Sequence, residues 1–416
     1  MKTNVRTWAM PLPGFALAGR ALMTVLLAGT YWLDIQTYLS SATPPRMLLV
    51  LTALLVPVSA YFFVLVRRFW GFVLAKRSGK AQESAALITA TAVLVPSMQV
   101  FGTPILLVLH VVVLGLLMEL LYAATARIGH VRAKWWRALY LSSIVPLAGV
   151  LLLAGYGSMN IRRPVLTEYT LTTDKPLPPG GYTIALITDL HYGNALTAED
   201  LEADVRAVSA ARPDLVLLGG DIVDERTTMH GMKEAFALLS EIPSRDGTYY
   251  VYGNHDKALY TAEPAFTPKD LAEDITAAGI TILEDRSAVL PSGLTLTGRQ
   301  DRSDPMRTGV PRASSAALME GLDPGAYHIL LDHQPRYFEE NAAAGYDLML
   351  SGHTHSGQIW PMGLIVAALD KGTILYGHEV RDGMDVIVSS GLVGWGYPLR
   401  TEGHSEYVLV HLKNGD

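Results

Sequence analysis

Residues 182–191 read YTIALITDLH and residues 215–224 read LVLLGGDIVD. Each opens as a short apolar run, the first of them β-branched, with the length of a buried strand. Each then passes into acidic or imidazole side chains: Asp189 and His191 in the first, Asp221 and Asp224 in the second. The pattern recurs downstream. Thr248–Tyr252 leads to Gly253-Asn254-His255-Asp256, Ile329–Leu331 to Asp332-His333-Gln334-Pro335, and Asp347–Leu350 to Gly352-His353-Thr354-His355. Amphipathic stretches lie between these runs; Thr197-Ala198-Glu199-Asp200 reads as a capped helix start continuing to about Ala211. Strand and helix in alternation predict an α/β domain with helices packed on its sheets. In such sheets ligands collect beyond the carboxyl ends of the strands. An isolated DxH or GD pair is common, and a lone histidine is more often structural than a ligand. Five such endings in succession, three of them beside a glycine that frees the turn, exceed what packing alone explains.

The residue types select a chemistry. The chain has no cysteine, which excludes disulfides, thiolate ligands and cysteine nucleophiles. Oxygen and imidazole donors suit Mn, Fe, Zn, Co or Mg. Six or seven of them exceed what one tetrahedral ion needs, so two divalent ions are expected. Two ions about 3.5–4 Å apart share a carboxylate, generate hydroxide at neutral pH and clamp an in-line displacement, a task matched to phosphate esters.

Asp189-Leu190-His191, Gly220-Asp221-Ile222-Val223-Asp224, Gly253-Asn254-His255-Asp256, His333 and Gly352-His353-Thr354-His355, in this order, resemble the signature of the calcineurin-like metallophosphoesterase family. The resemblance covers roughly Tyr182 to Leu412, and the extension to Gln358 is similar to its bacterial, often membrane-associated branch. It implies a two-sheet α/β sandwich with metals at one edge. It also implies that Asp189, His191 and His355 hold one metal, that Asn254, His333 and His353 hold the other, and that Asp221 bridges. His255 would contact the substrate phosphate and protonate or stabilise the leaving oxygen, with Asp224 orienting it. Asp256 is given no role. His333 is preferred to His328 because His328 begins its strand, away from the metal edge. Arg400 is a candidate phosphate ligand through a bidentate guanidinium, and His404 departs from the family's usual segment.

The half up to Asn160 is different. It holds 13 Lys and Arg against only Asp34, Glu83 and Glu119, which makes it +10 net; the remainder, with 20 basic and 36 acidic residues, is −16. Apolar segments at about 15–39, 47–66, 85–101, 104–124 and 138–156 predict four to five membrane helices in an anchor over 1–160, with the catalytic domain over 161–416. Buried helices of soluble proteins rarely lack a polar face for so long. Basic residues follow the second segment (Arg67, Arg68, Lys76, Arg77, Lys80) and the fourth (Arg127, Arg132, Lys134, Arg137). These loops belong to the cytoplasm, which puts the C-terminal half on the outer face of a bacterial inner or plasma membrane. Glu119 and His110 are the ionisable groups well inside the surer helices. Each reads either as a functional intramembrane site or as a helix-end or helix-to-helix hydrogen bond.

The expected function is hydrolysis of a phosphate mono- or diester, with a lipid-linked or cell-envelope substrate suggested by the anchor. The alternative is a catalytically silent metal- or partner-binding membrane protein, against which the full ligand set stands. A transporter would need discontinuous polar helices, and these are interrupted only by Pro57, Pro96 and Pro146. No nucleic-acid partner is expected for an exported domain at −16 net charge.

Overall fold

A computed structural model describes residues 45–98, 102–127, 134–261 and 263–415. The chain divides after Gly155 into two compact units. The expected segment at 15–39 lies outside the described residues.

In the N-terminal unit, Leu55–Val73 and Thr103–Thr125 are long and apolar enough to cross a membrane. The segment expected at 85–101 forms a 16-residue helix instead, Gly79–Leu94, capped by the Ser78 side chain and followed by a 3₁₀ turn at Pro96–Met98. Proline has no N–H to continue the ladder and clashes with the preceding turn. The span expected at 138–156 is likewise broken. Ser143 is left-handed at φ 52°, and Lys134–Ser142 meets Ile144–Asn160 at a 61° bend; only the pair together is long and apolar enough to cross. Phe62, Leu65 and Val66 pack with Ala86, Ala90, Leu94, Val108 and Val111. Gly115 permits close approach, since a Cβ there would sit 2.7 Å from Leu65 Cδ1. Glu119 accepts from Arg68 at 2.5 Å, from Tyr61 at 3.3 Å and from Tyr140. Its carboxylate thus links helices, the second of the two readings above. His110 Nδ1 lies 2.7 Å from the Leu106 carbonyl one turn back.

The C-terminal unit is built on two six-stranded sheets. The strands are β1 (Val165–Thr173), β2 (Tyr182–Ile187), β3 (Leu215–Leu218), β4 (Thr248–Tyr250), β5 (Thr281–Ile282), β6 (Arg286–Val289), β7 (Thr295–Gly298), β8 (His328–Leu331), β9 (Leu348–Ser351), β10 (Gly377–Arg381), β11 (Met384–Val388) and β12 (Glu406–Asn414). One sheet runs β1-β12-β2-β3-β4-β5, the other β10-β11-β9-β8-β7-β6. From β2 to β5 and from β7 to β9 the neighbours are parallel. β12 lies parallel to β1 and antiparallel to β2.

Alternation along each strand divides the apolar residues between two faces. Ile184, Leu186, Leu215 and Leu217 meet Leu296, Ile329, Leu331, Leu348 and Leu350 between the sheets. Ala185, Ile187, Val216 and Leu218 point the other way, against Leu201, Val205, Val208, Phe236 and Leu239 of the helices Ala198–Ala210 and Met229–Leu239. Met349, Val386 and Val388 form a third apolar layer with Met384 and Tyr346. Both faces of these strands are therefore covered, which is why they read as continuous apolar runs. The expected capping box is present: Thr197 accepts from the Asp200 N–H, and Asp200 accepts from the Thr197 N–H. The parallel strands β2, β3, β4, β8 and β9 carry the candidate residues just beyond their ends, three strands from one sheet and two from the other.

Candidate metal centre

Two groups of side chains converge where these strands end. Ligand atoms of Asp189, His191 and His355 lie within 4.8 Å of one another, as do those of Asp221, His333 and His353. Asp221 faces both groups. Its Oδ2 is 3.2 Å from His333 Nε2 and 3.7 Å from His191 Nε2, while its Oδ1 accepts the His255 backbone N–H at 2.8 Å. His355 Nε2 stands 3.6 Å from Asp189 Oδ1. The loops meet closely because glycine permits it. A Cβ on Gly220, at φ 91°, would lie 2.6 Å from the Gly253 nitrogen and 2.8 Å from His333 Nδ1. Gly352 admits the Asp189 carboxylate in the same way.

Several ligands sit in left-handed backbone: Asp189 at φ 53°, His191 at 43°, Asp221 at 52°, His353 at 72° and His355 at 50°. Such conformations cost of order 1–3 kcal/mol each outside glycine and persist where the surroundings over-determine them. Asp256 is part of that determination. Its buried carboxylate accepts backbone N–H groups of Gly253, Asp221, Ile222 and Val223 at 2.6, 2.7, 2.9 and 3.2 Å, clamping one ligand loop to the next. Burial and the neighbouring Asp221 push its carboxyl up to about 6.

The electrostatics are those of paired donors. Burial opposes charge on His333, yet the Asp221 carboxylate holds it well above the ordinary imidazole value. Against the same burial, Asp224, Asp221 and Asp189 raise His191. Burial, with His333 beside it, takes His353 down to about 4; burial and His191 depress His355. Asp221 is held far below the carboxylate range, the histidines outweighing its desolvation. A metal ion replaces protons in such a cluster, so its uptake releases them.

The donors fit divalent ions on their own evidence. His191 Nδ1 and Nε2, Asp221 Oδ2, Asn254 Oδ1, His333 Nε2 and His355 Nδ1 are buried with no hydrogen-bond partner. Orphaned polar atoms at this density are costly unless something satisfies them. All are oxygen or imidazole, the donor set of Mn, Fe, Zn, Co or Mg. His333 is also pre-aligned, its Nδ1 lying 2.8 Å from the Gly219 carbonyl, which leaves Nε2 for the cluster. His328, at the start of β8, is buried with both ring nitrogens unpartnered, at the opposite end of the strand.

Two expected assignments change. Asp224 does not face His255. Its Oδ2 lies 3.4 Å from His191 Nδ1, and its Oδ1 accepts the Arg226 N–H at 2.8 Å. The partner of His255 is Glu225, whose oxygens are 2.9 and 3.1 Å from Nδ1. The turn after Ile222 and Val223 points consecutive carboxylates at different imidazoles, and no periodicity in the sequence reports that. Arg400 is no phosphate ligand. It is fully buried, its guanidinium donating to the carbonyls of His355 and Ser390 at 2.8 Å each and to that of Val393. Those carbonyls use its donors, and it braces the loop carrying His355. His404 stands beside Tyr376 Oη at 3.2 Å and Glu406 Oε2 at 3.3 Å, in neither ligand group. Around His255, Trp395 stacks with centroids 4.7 Å apart and Tyr260 lies at 4.9 Å.

A two-sheet α/β sandwich whose strand ends bring two histidine–carboxylate groups together has the architecture of a dinuclear metallohydrolase. Residues 182–357 match the calcineurin-like phosphoesterase family. A family of this kind implies divalent metal ions. An uncharacterized metallophosphoesterase of Helicobacter pylori is 33% identical over 255 residues, 61% of this chain and 65% of its own length. A transmembrane protein with metallophosphoesterase domain from Bos taurus is 28% identical over 294 residues, 67% of this chain and 64% of that one. The chain thus spans just under two thirds of the length of these relatives. Among solved structures, a dimetal phosphatase from Danio rerio is similar at 14% identity and a TM-score of 0.35, covering 51% of this chain and 88% of that one.

Proposed function

We propose that the chain is a membrane-anchored phosphohydrolase that uses two metal ions to cleave a phosphate mono- or diester. The observation that carries the reading is the two ligand groups, with unpartnered donor atoms in both and Asp221 Oδ2 of one group 3.7 Å from His191 Nε2 of the other. Asp189, His191 and His355 would hold one ion and Asn254, His333 and His353 the other. Bound there, two divalent ions supply Lewis acidity to the phosphoryl group and a nucleophile at neutral pH. The chain's own residues supply the rest. Asp221 positions the His255 loop through the backbone N–H of His255 while facing both groups. Glu225 holds His255 by Nδ1, directing Nε2 and its proton to the departing oxygen. The test is a full chain stripped with chelator and assayed on bis(p-nitrophenyl) phosphate and p-nitrophenyl phosphate. Activity should vanish and return with one of Mn, Fe, Zn, Co or Mg. Hydrolysis that survives complete metal removal sinks the proposal.

Glu225→Gln should lower kcat about 10–100-fold, the usual cost of losing a group that orients a working histidine. Metal content and KM should hold. The loss should be larger for an alkyl ester than for a p-nitrophenyl ester, whose leaving oxygen needs no proton. Equal losses on both would mean that Glu225 serves structure alone.

The C-terminal unit is read as lying on the outer face of a bacterial inner or plasma membrane. This is supported by the basic residues at 127–137, which favour the cytoplasm, and by the apolar pair Lys134–Ser142 and Ile144–Asn160, which together is long enough to cross. A lipid-linked or cell-envelope ester is the substrate class suggested by that location. Protease added to intact cells should cut the C-terminal unit; full protection reverses the orientation.

A further inference from the structure

The eight residues Met362–Leu369 form a helix of sequence MGLIVAAL, without one polar side chain. Yet Met362 is 45%, Leu364 63%, Ile365 41% and Leu369 82% exposed. A helix apolar all round belongs in a core or in lipid, and a contiguous exposed patch of this kind marks a binding surface. Its N-terminal end is fixed from beneath. The Gly363 N–H donates to Glu402 Oε2 at 2.8 Å, and the Trp360 N–H donates to Thr401 Oγ1 at 3.0 Å.

The same short stretch grips the residues by which the chain enters this unit. The Arg400 N–H donates to the Gly157 carbonyl at 3.0 Å. Asn160 Nδ2 donates to the carbonyls of Arg400 and Gly403 at 3.1 and 2.9 Å. Residues 400–403 therefore hold both the apolar helix and the end of Ile144–Asn160, which with Lys134–Ser142 forms an apolar pair long enough to cross a membrane. Trp360 precedes the exposed helix and Lys371 follows it, flanks suited to a water–lipid boundary. A soluble protein partner would ask for polar groups to pair among the apolar ones, and Met362–Leu369 has none.

We propose that Met362–Leu369 is an interfacial docking helix that lies in the bilayer to which the chain is anchored. It begins seven residues after His355, so docking seats the metal centre at the level of lipid head groups. The inference rests on the membrane attachment proposed above and is independent of hydrolysis.

The absence of cysteine makes the test direct. Leu364→Cys and Leu369→Cys, each labelled with an NBD fluorophore, are reconstituted as full chains in phosphatidylcholine–phosphatidylglycerol vesicles containing spin-labelled lipid. Lys269→Cys, on the helix Pro268–Ala277 with its side chain 83% exposed, is the comparison. Labels at 364 and 369 should be quenched several-fold more than the label at 269. Quenching no greater than at 269 overturns the proposal. So does a label shielded from both water and lipid in proportion to protein density, which would assign the helix to a second copy. The same variants are assayed on bis(p-nitrophenyl) phosphate. Quenching without hydrolysis would sink the phosphoesterase reading and leave the docking helix standing, and the converse result would do the reverse.

Discussion

Asp221→Ala is expected to lower hydrolysis of bis(p-nitrophenyl) phosphate by at least about a thousandfold, because it removes the group proposed to act with both ions at once. One Asp221 oxygen stands between His333 and His191 with no hydrogen-bond partner, and the other holds the His255 N–H at 2.8 Å. Truncation deletes the shared donor and releases the loop carrying both Asn254 and His255. Metal analysis of the purified variant should show less than the full complement of ions. The fold should survive, because the carboxylate is costly to bury and its strand is fixed by Leu217 and Leu218 in two apolar layers. Asp221→Asn retains an acceptor for the His255 N–H and should keep the loop in place while still losing the bridge. Full activity in either variant would end the two-metal reading.

Arg400→Met should act on stability and leave substrate affinity alone. Methionine approximates the apolar stem but donates nothing, so the carbonyls of Ser390 and Val393 lose their partner inside the unit and that of His355 keeps only the Gln358 N–H. An unsatisfied buried polar group costs about 1–3 kcal/mol, and two together put the loss at about 2 kcal/mol or more. Burial already draws the guanidinium down to about 10, still charged at neutral pH. Thermal unfolding of the full chain in detergent should show a clearly lower midpoint, with any folded fraction keeping its KM for the diester. An unchanged midpoint with a raised KM would restore Arg400 to the substrate.

These two residues mark where the sequence was legible. Asp221 was readable because its position is set by a strand: an apolar run, a glycine pair, then the carboxylate. The same logic located Asp189, His191, His333, His353 and His355 at the place where the two groups form. Arg400 lies in a loop, where its type gave no sign of whether it would meet a phosphate or a set of carbonyls. The exchange between Asp224 and Glu225 has the same origin, since one backbone turn decides which of two adjacent carboxylates faces which imidazole. Asp256 was assigned nothing because its partners are backbone N–H groups, which leave no trace in side-chain identity. In the helical unit, Pro96 was legible as an interruption, whereas an ordinary serine at 143 gives no sign of the left-handed backbone found there.

The parallel pairing of β1 with β12 bears on how the unit is made. Val165 to Thr173, the first strand of the unit, has as its neighbour Glu406 to Asn414, and only β12 joins β1 to β2. A ribosome delivers these partners more than two hundred residues apart. Until the second arrives, β1 has no strand to bond and β2 presents an open edge, an invitation to aggregation. The sheet therefore completes after synthesis of the unit and not in step with it. That makes prompt delivery of β12 a condition for the whole unit to close.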